Sequence, residues 1–212
     1  FLQDNILVLA DDEESEENRP TYTNIYNSLA TWLSHIQEDD TLFFFFAGHG
    51  REIEGSPCLV PTDANLQTLH TTGIPVSEIQ ARLERCKARQ IVFVIDACHS
   101  GAGRDVVAMQ EPMLEALSGG EGIYTITSCG RDELSYEWDE MEQGVFSYFL
   151  AKALAGNCAV DVNGCITVDS VYSEVNKNVR AWARAHRCSQ TPWRKSNAAG
   201  DIVLRGGEAT AE

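Results

Sequence analysis

The chain has 212 residues, 43% apolar and 23% charged, which suits a globular protein and excludes a disordered, collagenous or disulfide-knotted one. Its 32 acidic residues against 16 basic ones leave a net charge of −16, which repels phosphate backbones and anionic lipid and counts against nucleic acid and membrane as partners. The longest wholly apolar run, Leu42 to Ala47, is far too short to cross a bilayer, and the first residues carry no signal-peptide pattern.

In chain order, Asn5 to Ala10 is apolar and β-rich and predicts a strand. The acidic cluster from Asp11 to Glu17 then reads as a solvated surface loop. Ile25, Leu29, Trp32, Leu33 and Ile36 recur at three- and four-residue spacings, so Tyr22 to Gln37 is expected to be a helix. Thr41 to Ala47 and Gln90 to Asp96 are continuous rather than alternating apolar runs, the pattern of strands covered on both faces of a parallel sheet. Between them Val76, Ile79 and Leu83 mark a helix over Val76 to Cys86, with Ser77 as its N-cap. Gly101 to Gly122 lacks sustained periodicity and reads as a long loop or insertion, a length that is uncommon unless functional. A third buried strand follows over Gly122 to Ser128. Helices are expected over Gly144 to Ala155 and Ser170 to His186, and Asp201 to Leu204 is expected to close the sheet. Strands alternating with helices predict an α/β fold with right-handed crossovers.

Two of these strands end in chemistry-bearing residues. The first runs into Ala47-Gly48-His49-Gly50 and the second into Asp96-Ala97-Cys98-His99-Ser100-Gly101. Functional groups of an open parallel sheet collect outside the carboxyl ends of its strands. If the two strands are parallel neighbours, His49 and Cys98 share that edge. A thiol beside an imidazole is a nucleophile–base pair, and the backbone N–H groups of Gly50 and Cys98 could hold the oxyanion formed on a carbonyl. Taken singly, His49 reads as a turn histidine and Cys98 as a small buried residue; their conjunction after two buried strands favours catalysis. A zinc site from His49, Cys58, Cys98 and His99 has no recognised ligand spacing. The seven cysteines form no CxxC pair, and an odd, scattered set suggests free thiols in a reducing cytoplasm.

The two strand-end motifs together resemble the caspase-like cysteine peptidases, specifically the metacaspase/paracaspase branch and its prokaryotic relatives, the orthocaspases. Caspase-type enzymes place the histidine about 50 residues before the cysteine, and here the interval from His49 to Cys98 is 49. Caspases proper carry Gln-Ala-Cys-Arg/Gln-Gly at the nucleophile, which this chain does not. Further matches are Pro57-Cys-Leu-Val-Pro-Thr-Asp63, Thr127 to Glu137, Gly144 to Leu150, Gln190-Thr-Pro192 and Gly200-Asp201. The resemblance implies one peptidase domain of α/β, caspase-like (caspase–hemoglobinase) fold, with a mostly parallel central sheet flanked by helices. Residues up to about 118 would form its large-subunit part and about 119–205 its small-subunit part. Family members open with a strand and helix that nothing in these residues matches, since Phe1 begins just before what would be the second strand.

The resemblance also implies an activity. Cys98 would attack a peptide carbonyl to give a thioester, with His49 as base and then acid. Asp96, two residues before the nucleophile, falls where relatives have an aspartate in the primary specificity pocket. Glu137 is the second candidate, and Asp132 and Asp139 are its rivals. Carboxylates there would select arginine, and less well lysine, before the scissile bond. Arg104 and Arg131 would then be candidate self-cleavage points. No cofactor is required on this reading. Calcium, which some relatives need, is kept as a candidate activator, although Asp161-Val-Asn163-Gly164-Cys165 departs from the EF-hand pattern. A bacterial, cytoplasmic monomer acting on protein or peptide substrates is the expectation, and a catalytically silent caspase-like scaffold is the alternative.

Overall fold

The structure, a computed structural model, describes residues 3–98, 122–130 and 133–206. The predicted loop at 101–122, with Arg104, therefore lies almost wholly outside the described residues, as do His99, Arg131 and Asp132. A six-stranded sheet runs through the centre in the order β3 (Ile74–Pro75), β2 (Ser56–Leu59), β1 (Thr41–Ile53), β4 (Gln90–Cys98), β5 (Ile123–Thr127) and β9 (Trp193–Ser196). Strands β1, β4 and β5 are parallel, whereas β2, β3 and β9 add antiparallel pairings at the two sides.

Helices cover both faces, as the α/β expectation requires. One layer holds Leu29 of α1 (Tyr22–His35) and Val76, Ile79 and Leu83 of α3 (Val76–Arg85), packed with Ile91, Phe93 and Ile95 of β4. The other holds Val145, Phe146 and Leu150 of α4 (Val145–Leu154) and Val171, Val175 and Val179 of α5 (Val168–Ala185), packed with Val92 and Val94. Successive residues of β4 thus enter opposite cores, the physical reason its apolar run is unbroken. Residues 92 to 95 are at most 1% exposed. Strand β1 matches this less completely: Phe44 stacks on Phe93 at 5.0 Å, but Phe45 is 43% exposed. The buried residues of the α4–α5 layer lie on β4 and β5, so its cover thins towards β1.

Three expectations are corrected. Asn5 to Ala10 forms no strand, and Ile6, Leu7 and Val8 are exposed, because no described strand pairs with them and β-propensity alone does not make a ladder. Helix α3 starts one residue before Ser77, with Pro75 at the N-cap and no side-chain cap; proline's fixed φ suits a helix entry. The C-terminal β10 (Val203–Arg205) pairs with β8 (Ile166–Thr167) in a separate ribbon rather than closing the sheet. The sheet is closed instead by Trp193–Ser196, four residues that alternate between half-buried and exposed. Short elements α2 (Leu69–Thr72), β6 (Glu137–Trp138) and β7 (Gln143–Gly144) complete the fold.

Candidate active site

Strand β1 does not stop at Ala47 but continues to Ile53, because it changes partner along its length. It pairs in parallel with β4 from Thr41 to His49, then antiparallel with β2 from Gly50 to Ile53. His49 stands at the change and is the register partner of Cys98 at the end of β4. Neighbouring strands run about 4.8 Å apart, so the backbone brings these two residues side by side at the carboxyl edge. The Val60 N–H donates to His49 O at 2.9 Å. That bond makes Gly50 and Leu59 a non-hydrogen-bonded pair of the ladder, which directs the Gly50 N–H away from β2, towards the β4 side.

A cavity of about 310 Å³ opens at this edge, lined among others by Ala47, Gly48, His49, Asp96, Glu137 and Trp138. The predicted pair Asp96 and Glu137 therefore meets in one pocket. Asp139 and Glu142 line it too, and among the described residues no lysine or arginine does. Asp96 is 2% exposed, while Glu137 is exposed on the two-residue strand β6. Asp96 follows Val92 and Val94 on the α4 side of β4, where Ser147 of α4 donates to its Oδ2 at 2.5 Å and Ser135 donates to its Oδ1 at 2.7 Å. Hydroxyl donors to a carboxylate compensate much of the cost of burying it. Gly144 leaves the approach open: a Cβ there would lie 2.9 Å from Asp96 Oδ2.

Sequence reading missed Glu142, Gly144, Ser135, Ser147 and Gln190. Glu142 sits at φ 52°, a left-handed turn between β6 and β7 that places it on the cavity wall. The two serines and Gln190 fall in segments that match the family, yet their residue types suggest no role; hydrogen bonding to a buried carboxylate or to its donor is what marks them, and only the fold creates it.

The six cysteines other than Cys98 are free thiols. Burial pushes the Cys58, Cys86 and Cys188 thiols above their usual range, so these are poor nucleophiles at neutral pH. Cys129 is 5% exposed and is not among the cavity's lining residues, and its Sγ donates to Glu133 O at 3.5 Å. Among the described residues no group of three or more His, Cys, Asp or Glu is arranged to hold a metal. Asp161 Oδ1 accepts from the N–H groups of Asn163 and Cys165, the bonds of a local turn. Among the described residues no helix is long and apolar enough to cross a membrane.

The family described as Caspase domain matches residues 9–203. Metacaspase-1B of Neurospora crassa is 26% identical over 176 residues, covering 75% of this chain and 39% of that protein. Metacaspase-1A of Aspergillus fumigatus is 26% identical over 145 residues, 61% of this chain and 34% of that protein. Paracaspase of Dictyostelium discoideum is 25% identical over 183 residues, 84% and 41% respectively. The chain thus spans about two fifths or less of the length of these curated relatives.

Proposed function

Because the chain belongs to the caspase-domain family, we propose that it is a cysteine endopeptidase cleaving after arginine, and less well after lysine, through Cys98 and His49. The observation that carries the specificity is the cavity itself: among the described residues its lining holds four carboxylates and no lysine or arginine, and Asp96 is buried in it with hydroxyls on both oxygens. An arginine fork satisfies a carboxylate bidentately, whereas an ammonium is a point charge, hence the order of preference. Aspartate before the scissile bond would meet like charges.

In the reaction the Cys98 sulfur, its proton passed to His49, attacks the carbonyl carbon. The oxyanion is held by the backbone N–H groups of Gly50 and Cys98. Collapse breaks the C–N bond, His49 protonates the departing amine and a thioester remains. Water, deprotonated by His49, then displaces the thiol and releases the new carboxyl end. Release of fluorophore from otherwise identical Arg-, Lys- and Asp-ended peptides tests the reading. The expected order is Arg above Lys, with Asp uncleaved and Cys98→Ala inactive; cleavage favouring Asp would overturn it.

A further inference from the structure

Asp96 is one end of a buried chain of polar groups whose other end lies far along the sequence. Gln190, just before β9, is 1% exposed, Ser128 2% and Ser135 8%. The Gln190 side chain makes three bonds at once. Its Oε1 accepts from the Tyr136 N–H at 3.1 Å, and its Nε2 donates to Ser128 O at 3.0 Å and to Ser135 Oγ at 3.1 Å. The amide has one consistent orientation: turned over, its NH2 would face a backbone N–H and its oxygen a backbone carbonyl.

That orientation decides what Ser135 does. A hydroxyl has one hydrogen, and the Gln190 amide occupies an acceptor lone pair of the Ser135 oxygen. The hydrogen therefore goes to Asp96 Oδ1, 2.7 Å away. Ser147 holds Oδ2 from the helix side at 2.5 Å. A hydroxyl donor on each oxygen helps fix the rotation of the carboxylate plane, which is what a planar guanidinium reads. With Gln190 gone, the Ser135 oxygen would lose the amide that anchors it from the side away from Asp96, and its side-chain rotamer would no longer be fixed.

We propose that Gln190 is a positioning residue for substrate selection: it acts through Ser135 to orient the Asp96 carboxylate that receives the basic side chain. The inference rests on the arginine reading of the pocket, so the experiment separates the two.

Hydrolysis of an arginine-ended peptide is compared with that of its citrulline twin, which has nearly the same shape but no charge. The readout is the ratio of the two kcat/KM values, which a variant that merely folds poorly leaves unchanged because both rates scale with active enzyme. The wild type is expected to favour arginine; equal rates would overturn the pocket reading itself. Gln190→Met is expected to lower the ratio by about tenfold, as loss of one directed hydrogen bond to a charged group would. It should do so mainly through KM of the arginine peptide. Ser135→Ala is expected to give a similar fall, and the double variant no further one, because both changes break the same link. A wild-type ratio in Gln190→Met, or independent falls that multiply in the double variant, would overturn the inference. If Gln190→Met does not fold, Ser135→Ala decides: an unchanged ratio there refutes the relay, and a fall supports it.

Discussion

Asp96 shows how one residue's role depends on its neighbours' size as well as their charge. Gly144 has φ −61° and ψ 140°, a conformation open to any residue, so its glycine is not needed for the backbone. It is needed for space, since an alanine Cβ would sit 2.9 Å from Asp96 Oδ2, the oxygen that Ser147 holds while Ser135 holds the other. Gly144→Ala is expected to leave the thermal midpoint nearly unchanged while raising KM for arginine peptides by roughly tenfold, through crowding of a charge-assisted contact. Steady-state kinetics beside a melting curve checks this, and an unaltered KM would show that the substrate does not approach from the Gly144 side. Asp96 and Glu137 were legible as candidates because each stands at a motif position. Ser135, Ser147 and Gln190 were not, although they fall in matched segments, because which groups their side chains meet is set by the fold.

At the scale of elements, the site is held together by a clamp between two connections. The Glu133 carboxylate accepts from Gly130 N, Thr191 N, Thr191 Oγ1 and Ser189 Oγ, tying the segment after β5 to the approach to β9. Burial acts to raise its pKa, but these hydrogen bonds outweigh it and hold the carboxyl below its ordinary value. A depressed carboxylate contributes stability above the unfolded pKa and loses it as pH falls through the folded one. Glu133→Gln is therefore expected to melt lower than wild type at pH 7, on the order of 3 °C. The gap should close as pH drops below the folded pKa. Melting curves across pH 3 to 7 test this, and a gap independent of pH would show that the charge is not what matters. Helix α5 is secured more locally, by a capping box in which Thr167 accepts from Ser170 N and Ser170 Oγ accepts from Thr167 N. Its amphipathic periodicity made it readable, as did that of α1, α3 and α4. Strands β2, β3, β6, β7 and β9 were not readable, since two to four residues give no period to detect.

For the whole molecule, the net charge of −16 and the acidic cavity have the same sign. A negative surface around a negative pocket raises the encounter rate of cationic substrates, and salt screens it. Raising ionic strength from 0.05 to 0.5 M is expected to lower kcat/KM for an arginine peptide by roughly threefold while leaving the citrulline twin unaffected. Equal responses of the two peptides would mean that the bulk charge serves solubility alone.

What the sequence by itself determined is the local chemistry and the layer plan. Continuous apolar runs require cover on two faces, helical spacings supply that cover, and the Gly-His-Gly and Asp-x-Cys-His-Ser-Gly strings mark where those strands expose chemistry. Tertiary structure alone decided which groups meet. The partner change along β1 sets His49 opposite Cys98, and the hydrogen-bonded group of Ser135, Ser147 and Gln190 around Asp96 draws on four segments of the chain. The want of a pairing strand among the described residues leaves Ile6 to Val8 exposed despite their β-propensity. The physical reason is common to all three: periodicity and residue type are properties of neighbours along the chain, whereas register, burial and hydrogen-bond direction belong to neighbours in space.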